Sequence, residues 1–598
     1  MTSHNPGRAS QQDGTYPRPQ LVRSSWTDLT GLWEFGFGDD PDQSPDSATF
    51  DNTILVPYPP ESSASGIGDT AYHHVAWYRR SFGTAELQAA GYRGDDDRLK
   101  LNFGAVDWAA DVWLNGTHLG SHEGGQTPFS FDVTKVLNDT AENTLVVRAV
   151  DDPHDTSIPR GKQDWRESPH AVWYHRTTGI WQPVWLEAVA KIHIVDLGWE
   201  SNLPAACVDL ELSLNKRPAP NTWARIVLTL DDETLAEAHF HLTGRTAYLR
   251  LGLERQRNGQ QYEEFLWDPE HPRLIDASVI IEQCGHRVDT VSSYLGLRSV
   301  QAVNQHFLLN DRPYYLRSVL AQNYWPESHL AAPNANALRR EVELIKELGF
   351  NAARVHQKAE DPRFLFWADK LGMLVWGESA SAYNFDARSV TTLTAEWVQL
   401  VQRDRSHPSI VAWVPLNESW GIQHIAHEPR QQAFSRAITD LTRALDATRP
   451  VVSNDGWEHT VSDIWTLHDY DANPDRLTLR YGSSEAVRAL LAGFGPAGRR
   501  MSINSEYQDQ PIMLTEFGGV SYVDSHVDGA WGYSSAQDPT QFETQVASIF
   551  RAVYSSPVLS GFCYTQLTDT EQETNGLLRA DRTPKIPIEN LRRAILGI

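Results

Sequence analysis

Two glutamates in the second half of the sequence each come at the end of a short apolar run. Glu418 follows the run that begins at Ile410, and Glu516 follows the run that begins at Pro511. Short, β-branched apolar runs without alternation are typical of strands buried on both faces. In a barrel of parallel strands, the carboxyl ends of the strands carry the active site. Two carboxylates that meet there could cleave a glycosidic bond, because one can protonate the leaving oxygen while the other attacks the anomeric carbon or activates water.

The alternative for each glutamate is a solvated charge at a strand end, which is the more common situation for a single acidic residue. Here both glutamates fall in one strand–helix pattern, and Trp413, Trp420 and Phe517 flank them. Because these features coincide, the pair favours catalysis over the solvated alternative.

Alternating strands and helices, which would position the two glutamates, begin at about Val303. Helical patterns cover residues 337–348, 364–371, 430–445, 485–491 and 542–554, and a further helix precedes His407. Eight strand signals alternate with them: 315–319, 352–356, 374–377, the run to Glu418, 450–453, 464–468, the run to Glu516, and 561–566. The pattern predicts a complete (β/α)₈ TIM barrel in which Glu418 ends the fourth strand and Glu516 the seventh.

The residues up to about Ala190 predict a jelly-roll β-sandwich. Runs at 77–82, 99–103 and 144–150 alternate apolar and polar residues, and Asn115-Gly116 is a hairpin signal. An insert at 151–178 has no strand period. Segments of this length without secondary structure are usually functional or disordered, and its Trp, Tyr and His content favours a loop that reaches another domain.

The segment from about Lys191 to Leu297 predicts a second all-β unit. Its clean alternation at 208–214 and 224–230 is typical of an immunoglobulin-like β-sandwich, and it carries no evident chemistry, so we expect a spacer. The predicted domains are 1–190 (jelly-roll, similar to sugar-binding domains), 191–297 (immunoglobulin-like) and 298–598 (catalytic barrel). The fold class is therefore multidomain, β followed by α/β.

Length and charge limit the classes of protein that remain. A chain of 598 residues implies about three or four domains, and a formal charge of −25 argues against nucleic acid or an anionic membrane as partner. Cys207, Cys284 and Cys563 lie far apart and predict neither a disulfide framework nor a metal site. The polar first residues and the lack of long apolar runs predict a cytoplasmic protein. The 21 tryptophans weakly favour carbohydrate as substrate.

At this point the sequence resembles the β-galactosidase, β-glucuronidase and β-mannosidase family, glycoside hydrolase family 2. The order of a sandwich, an immunoglobulin-like domain and a barrel is similar over nearly the whole chain. Asn417-Glu418 matches the acid/base motif of the family, and Thr515 to Gly518 matches its nucleophile motif. Further similar motifs lie at 54–62, 77–80, 112–116, 122–125, 178–181, 266–270 and 294–298.

The sequence departs from the family pattern at sugar-facing positions. Gln322 stands where the first strand usually has a His; on the second strand Arg354 is kept, but His356 comes one place early and Gln357 replaces the usual His. Residues 379–385 contain no His after the third strand. We therefore predict no active-site metal and no cofactor, and the pyranoside specificity stays open.

The resemblance implies roles for these residues in a retaining mechanism, with the two carboxyls roughly 5 Å apart. Glu418 would be the acid/base, with a pKa raised by the other carboxylate and by Trp420, and Glu516 the nucleophile, kept ionised by Arg354. Asn417 would bind the 2-hydroxyl of the sugar. His468 and Tyr470 would orient Glu516, although a buried His is as often bound by backbone alone.

Substrate contacts are expected from residues near strand ends and from the insert. The strand-end residues are Gln322, Tyr324, Trp325, His356, Glu378, Tyr564, Gln566 and Asp569. Asp164 and Trp165 on the insert would close one side of the pocket. A deep pocket walled by loops predicts exo action.

The expected function is a retaining exo-acting glycoside hydrolase that releases a terminal β-D-galactosyl-type sugar. A furanosidase (galactofuranosidase or arabinofuranosidase), a β-glucuronidase or a β-mannosidase is the alternative within the family, and a homo-oligomer is left open. A non-catalytic carbohydrate-binding protein is a remote alternative, which the presence of Glu418, Glu516 and Asn417 opposes. An aldolase or isomerase would need a Schiff-base lysine or phosphate-binding glycines, for which we find no signal.

Overall fold

A computed structural model describes residues 7–94, 96–524 and 527–598. In this part of the chain the buried apolar side chains form three large clusters, centred in an N-terminal sandwich, a middle sandwich and a C-terminal barrel. No helix among the described residues has both the length and the apolar character needed to cross a bilayer.

The N-terminal sandwich packs two antiparallel sheets. The six-stranded sheet runs in the spatial order Asn52–Val56, Gly31–Gly38, Val75–Phe82, Asn143–Val150, Ala109–Leu114 and Thr117–Glu123. The four-stranded sheet runs in the order Thr27–Asp28, Val184–Ala190, Asp97–Phe103 and Phe129–Asp132. The predicted hairpin is present: Asn115 and Gly116 have φ of 52° and 76°, as a two-residue turn between twisted strands requires.

The middle sandwich consists of a three-stranded and a four-stranded antiparallel sheet. The first contains Ile194–Asn202, Cys207–Leu214 and Thr246–Gly252, and the second contains Glu233–His241, Thr222–Leu230, Ile275–Gln283 and His286–Leu295. Alternate residues of Cys207–Leu214 and Thr222–Leu230 are buried, which explains the period-two pattern of the sequence.

The C-terminal domain is a curled sheet of parallel strands surrounded by helices. The sheet has seven strands in the spatial order Ile410–Val414, Leu374–Glu378, Ala352–Val355, Leu316–Ala321, Leu559–Thr565, Ile512–Gly518 and Trp465–Asp469. Its helices are Ala335–Leu348, Pro362–Leu371, Ala387–Asp404, Pro429–Leu445, Pro474–Tyr481, Ser484–Leu491, Pro539–Tyr554 and Ile588–Leu596. Together with the two sandwiches, this sheet confirms the predicted fold class.

The predicted strand at 450–453 is wrong as a regular strand. The segment pairs with its neighbour only through isolated bridges, Trp413 to Val451 and Asn417 to Asp455. Pro450 has no N–H to donate, and the N–H of Ser453 donates to Ser462 Oγ in place of a neighbouring strand. This irregular segment fills the fifth position between the fourth strand and Trp465–Asp469.

The insert at 151–178 reaches the barrel. The backbone N–H groups of Arg160 and Gly161 both donate to the carbonyl of Ser381 at 3.0 Å, and the hydroxyl of Tyr383 donates to the carbonyls of Gly161 (2.8 Å) and Gln163 (2.6 Å). The loop that follows the third barrel strand therefore holds this part of the insert in place.

Candidate active site

Glu418 and Glu516 meet at the carboxyl ends of the barrel strands. Glu418 follows the fourth strand, and Glu516 lies within the seventh. One carboxylate oxygen of each lies within 4.8 Å of the other. Glu418 and Ser419 have φ of 50° and 59°, a left-handed conformation that is uncommon for residues with side chains and clusters at functional sites. The two carboxylates therefore lie close together at one end of the barrel, as a catalytic role requires.

Arg354 is the charged centre beneath the site. Its buried guanidinium donates from Nε to Glu378 (2.6 Å), from Nη1 to Glu516 Oε1 (3.0 Å) and from Nη2 to Asn417 Oδ1 (2.7 Å). It also forms an ion pair with Asp455 at 2.6 Å. Since Oδ1 of Asn417 faces the arginine, its amide N–H groups are left to bind a substrate hydroxyl.

His468 contacts a different glutamate from the one expected. Its Nδ1–H donates to Glu418 Oε1 at 2.6 Å and its Nε2–H donates to Asp455 Oδ2 at 2.7 Å, whereas Glu516 Oε1 lies 3.6 Å away. Tyr470 donates its hydroxyl to Glu516 Oε2. Tyr470 thus orients Glu516, and His468 mainly orients Glu418.

The pKa values of this pair differ from the sequence-based expectation. Burial opposes the charge on His468, but the charges of Glu516 and Asp455 and the bonds to Asp455 and Glu418 outweigh it and raise its pKa to about 10. Burial would raise the pKa of Glu418, but the hydrogen bond and charge of His468 outweigh that effect, so the pKa is lowered. The expected raised pKa of Glu418 is therefore wrong for the unliganded site, because an imidazolium 2.6 Å away has more influence than the ring of Trp420.

Four of the expected substrate contacts lie at the strand ends in buried positions. Glu378 accepts from Arg354 and from the backbone N–H of Gln357. His356 lies with Nδ1 3.1 Å from Glu378, and burial lowers its pKa well below the ordinary value. Gln322 donates to Gln566 Oε1 at 2.8 Å, and Nε2 of Gln566 is buried without a hydrogen-bond partner among the described residues. Gln566 therefore has a donor left for a ligand.

Four other expected contacts are occupied by protein partners. Tyr564 lies in the aromatic core against Phe517 and Phe550. Asp569 accepts from Lys585 at 2.7 Å and from the N–H of Gly576 at 2.9 Å. The guanidinium of Arg582 covers the ring of Trp325 at 3.6 Å, and Tyr324 donates to the carbonyl of His175 at 2.9 Å. The strand-end position did not predict these contacts, because loop residues bind Asp569, Trp325 and Tyr324, and Tyr564 faces the aromatic core.

An aromatic wall bounds the side of the site next to Glu418. It consists of Trp165 and Trp173 from the insert, Tyr383 from the loop after the third strand, and Trp420; their rings contact one another at centroid distances of 4.8 to 6.4 Å. These residues and Glu418 line a cavity of about 590 Å³. Trp165 therefore borders the pocket, as expected. Asp164 does not: it is fully buried and binds His170 Nδ1 at 2.6 Å within the insert.

The structure also brings in residues that the sequence analysis did not single out. Asp455 bonds to both Arg354 and His468. Glu573 accepts from Tyr174, and Tyr533 stacks on Tyr470 at 3.4 Å. Asp455 could have been found, since it follows the predicted fifth strand. The others lie on loops without a periodic signal.

Among the residues that the structure describes, two groups of three side chains could hold a metal ion by distance alone: His175, His329 and Glu571, and Glu418, His468 and Glu516. In each group a histidine already hydrogen-bonds to a glutamate, at 2.5 Å for His175 with Glu571 and at 2.6 Å for His468 with Glu418. These contacts explain the clusters without an ion, and the absence of a metal stays a prediction.

We expect Gly161→Ala to disturb the insert. Gly161 has φ of 61°, and an added Cβ would overlap the carbonyl oxygen of Gln357. Left-handed strain and this overlap should cost about 1–3 kcal/mol, seen as a lower Tm together with a higher KM as the insert shifts. Gly66→Ala is the matched control, because Gly66 has φ of 82° with open space around it. Equal effects of the two variants would show that the contact with the barrel is unimportant.

The family model "Glycosyl hydrolases family 2, TIM barrel domain" matches residues 300–598, and "Glycosyl hydrolase 2 galactose-binding domain-like" matches residues 69–182. A β-galactosidase of Thermoanaerobacter pseudethanolicus is 25% identical over 410 residues, which cover 67% of this chain and 52% of that protein. A β-glucuronidase of Canis lupus familiaris is 24% identical over 574 residues, covering 85% of this chain and 83% of that enzyme. This chain therefore spans about half of the first relative and most of the second.

Solved structures share the whole architecture. The β-D-glucuronidase of Dictyoglomus thermophilum superposes with a TM-score of 0.75 at 18% identity, covering 98% of this chain and 99% of that one. A β-galacturonidase of Eisenbergiella tayi bound to galacturonate gives a TM-score of 0.74 at 18% identity, covering 97% and 98%. At this identity the likeness shows the fold alone.

Proposed function

The chain belongs to glycoside hydrolase family 2, and on this basis we propose that it is a retaining β-glycosidase that releases one terminal sugar by double displacement. The observation that supports the proposal is that one carboxylate oxygen of Glu418 lies within 4.8 Å of one carboxylate oxygen of Glu516. Retaining enzymes hold their carboxyl groups about 5 Å apart, whereas inverting enzymes leave roughly 6.5–9.5 Å for a water molecule.

In the first step Glu516 is the nucleophile. Arg354 and Tyr470 bind its two oxygens and orient it. A carboxylate oxygen attacks the anomeric carbon, the bond to the leaving oxygen breaks, and Glu418 gives that oxygen a proton. A glycosyl ester of Glu516 results. Asn417 binds the 2-hydroxyl through its amide N–H groups, a contact that strengthens in the transition state.

The proton for the leaving group is held between Glu418 and His468. In the free site the imidazolium carries it, and the 2.6 Å hydrogen bond leads directly to Glu418 Oε1. As the bond to the anomeric carbon breaks, negative charge develops on the leaving oxygen. The proton then passes from His468 to Glu418 and from Glu418 to the leaving oxygen. In the second step Glu418 accepts a proton from water, which attacks the anomeric carbon and frees Glu516.

We expect His468→Asn to move the basic limb of the pH profile to lower pH. The wild-type pair loses its proton as pH rises through the pKa of His468, about 10. In the variant Glu418 must hold the proton alone. Burial raises the pKa of this carboxyl and the charges of Lys162 and Arg354 lower it, so the proton is lost at lower pH than from His468. At neutral pH kcat/KM should fall about 10- to 100-fold. The measurement is kcat/KM on an aryl glycoside from about pH 4 to pH 10; an unmoved basic limb would contradict the shared proton.

We propose exo action, and the walls of the site support it. The insert and the loops after the third and fourth strands close the side next to Glu418, so a terminal sugar is favoured over an internal one. We propose a β-galactosyl-type terminal sugar, and a β-glucuronide is the second candidate. The ammonium of Lys162, 5.0 Å from the ring of Trp420, favours the second candidate, because a uronate needs a cation.

A panel of p-nitrophenyl glycosides tests the proposal. It should contain β-D-galactoside, β-D-glucuronide, β-D-mannoside, β-D-galactofuranoside and α-L-arabinofuranoside. We expect hydrolysis of a β-glycoside, with the β anomer of the free sugar appearing first by proton NMR. No turnover of any member, or the α anomer appearing first, would overturn the proposal.

A further inference from the structure

The backbone around Lys162 is held more firmly than that of an ordinary loop. On its N-terminal side, Arg160 and Gly161 donate to the carbonyl of Ser381; on both sides, Tyr383 donates to the carbonyls of Gly161 and Gln163. The carbonyl of Lys162 itself accepts from the N–H of Tyr174 at 2.8 Å. The side chain is therefore presented to the barrel from a fixed position on another domain, as precise recognition requires.

The side chain of Lys162 lies at the active site without a partner of opposite charge. Its Nζ lies 5.0 Å from the ring centroid of Trp420, two residues after Glu418, and the residue is only partly exposed. Across residues 7–94, 96–524 and 527–598, no carboxylate oxygen lies within 4.0 Å of this Nζ, and no hydrogen bond to it is formed. An ammonium that is partly exposed beside Trp420 and has no acceptor among the described residues keeps its three N–H donors available for a ligand.

The acidic groups near Lys162 already have other partners. Glu573 accepts from Tyr174 at 2.7 Å and from Asn575 at 3.0 Å, and Glu418 bonds to His468. Burial raises the pKa of Glu573, and the charge of Lys162 is the largest effect that opposes it. Burial likewise lowers the pKa of His356, with the charge of Lys162 as the next cause. The charge of Lys162 therefore acts on Glu418, Glu573 and His356, and two of these, Glu418 and His356, come at the ends of barrel strands.

We propose that Lys162 is a substrate-binding residue supplied by the N-terminal sandwich, whose ammonium donates to an oxygen of the terminal sugar. The inference rests on the proposed glycosidase function. The oxygen belongs either to the carboxylate of a uronide or to a hydroxyl of a neutral sugar, since an ammonium binds both. The barrel site is incomplete without the insert, and the type of sugar accepted depends on this residue.

The test compares Lys162→Met and Lys162→Arg with wild type on p-nitrophenyl β-D-glucuronide and β-D-galactoside. Loss of a charge-assisted hydrogen bond should raise KM about 10- to 100-fold for Lys162→Met on the preferred substrate, with a smaller change in kcat. Lys162→Arg should recover part of the loss, because the charge returns. The Tm of both variants should stay close to that of wild type, which a merely structural role would not allow.

Lys370→Met is the matched control. Lys370 also lies over aromatic rings, with Nζ 5.4 Å from the Phe366 centroid and 5.6 Å from that of Trp367, on a helix outside the site. Its kinetics should equal those of wild type.

The two substrates show whether Lys162 binds a carboxylate oxygen or a hydroxyl oxygen of the sugar. A loss confined to the glucuronide assigns Lys162 to a carboxylate, and losses of similar size on both assign it to a hydroxyl; either supports the inference. Unchanged KM on both substrates in Lys162→Met, with an active wild type, would overturn it and leave the proposed function standing. A wild type that hydrolyses neither these substrates nor the rest of the panel would overturn both.

Discussion

Glu516→Ala is expected to lower kcat by at least about 10⁴-fold, with the protein still folded. The glycosyl ester cannot form without this carboxylate, and Arg354 and Tyr470 then face an empty position. The measurement is steady-state hydrolysis of an activated aryl glycoside, with the Tm recorded for each variant. Glu396→Gln is the matched control, since Glu396 is a buried barrel glutamate that accepts the N–H of Gln126 away from the site.

Azide gives the Glu516→Ala experiment a stereochemical readout. A small anion that enters the space of the missing carboxylate should attack the anomeric carbon directly and give the α-glycosyl azide, because only one displacement takes place. Activity of Glu516→Ala close to that of wild type would remove Glu516 from the role of nucleophile.

Glu418→Gln is expected to affect substrates according to their leaving group. A dinitrophenolate leaves without a proton, so the first step should be little changed; a poor leaving group such as an alkoxide needs the proton and should react about 10²- to 10⁴-fold more slowly. The measurement is the dependence of kcat/KM on leaving-group pKa, which should be much steeper in the variant than in wild type.

The same control, Glu396→Gln, should retain the wild-type dependence on leaving group. Azide should accelerate Glu418→Gln on dinitrophenyl substrates and yield the β-glycosyl azide, because it replaces water in the second step. Equal losses on good and poor leaving groups would argue against a proton-donor role for Glu418.

The sequence predicted the fold because its patterns are local. Apolar runs such as those at Ile410 and Ile512 are typical of strands covered on both faces, and the alternation at 208–214 is typical of a strand half-buried in a sandwich. The sequence predicted a regular fifth strand at 450–453. Its irregular conformation could not be predicted, because Ser453 and Asn454 bind nearby groups in place of a neighbouring strand.

The site residues could be predicted where a sequence motif identified the residue and a predicted strand gave its place in the barrel. Asn417-Glu418 and Glu516 are of this kind, and Arg354 was placed correctly beside Glu516. The partner of His468 was not predictable, because a choice between Glu418 and Glu516 depends on an ångström of ring placement. Lys162 was missed because the insert has no period from which the direction of a side chain could be inferred.

The central claim is that Glu516 forms a covalent bond to the sugar, and trapping tests it most directly. A 2-deoxy-2-fluoro glycoside with an activated leaving group, matched to the sugar that the panel identifies, should form the ester but hydrolyse it slowly, because fluorine destabilises the charged transition states of both steps. After proteolysis, we predict that mass spectrometry finds the label on Glu516 within the peptide that contains Ile512–Gly518. A label on any other residue, or inactivation without any label, would contradict the account.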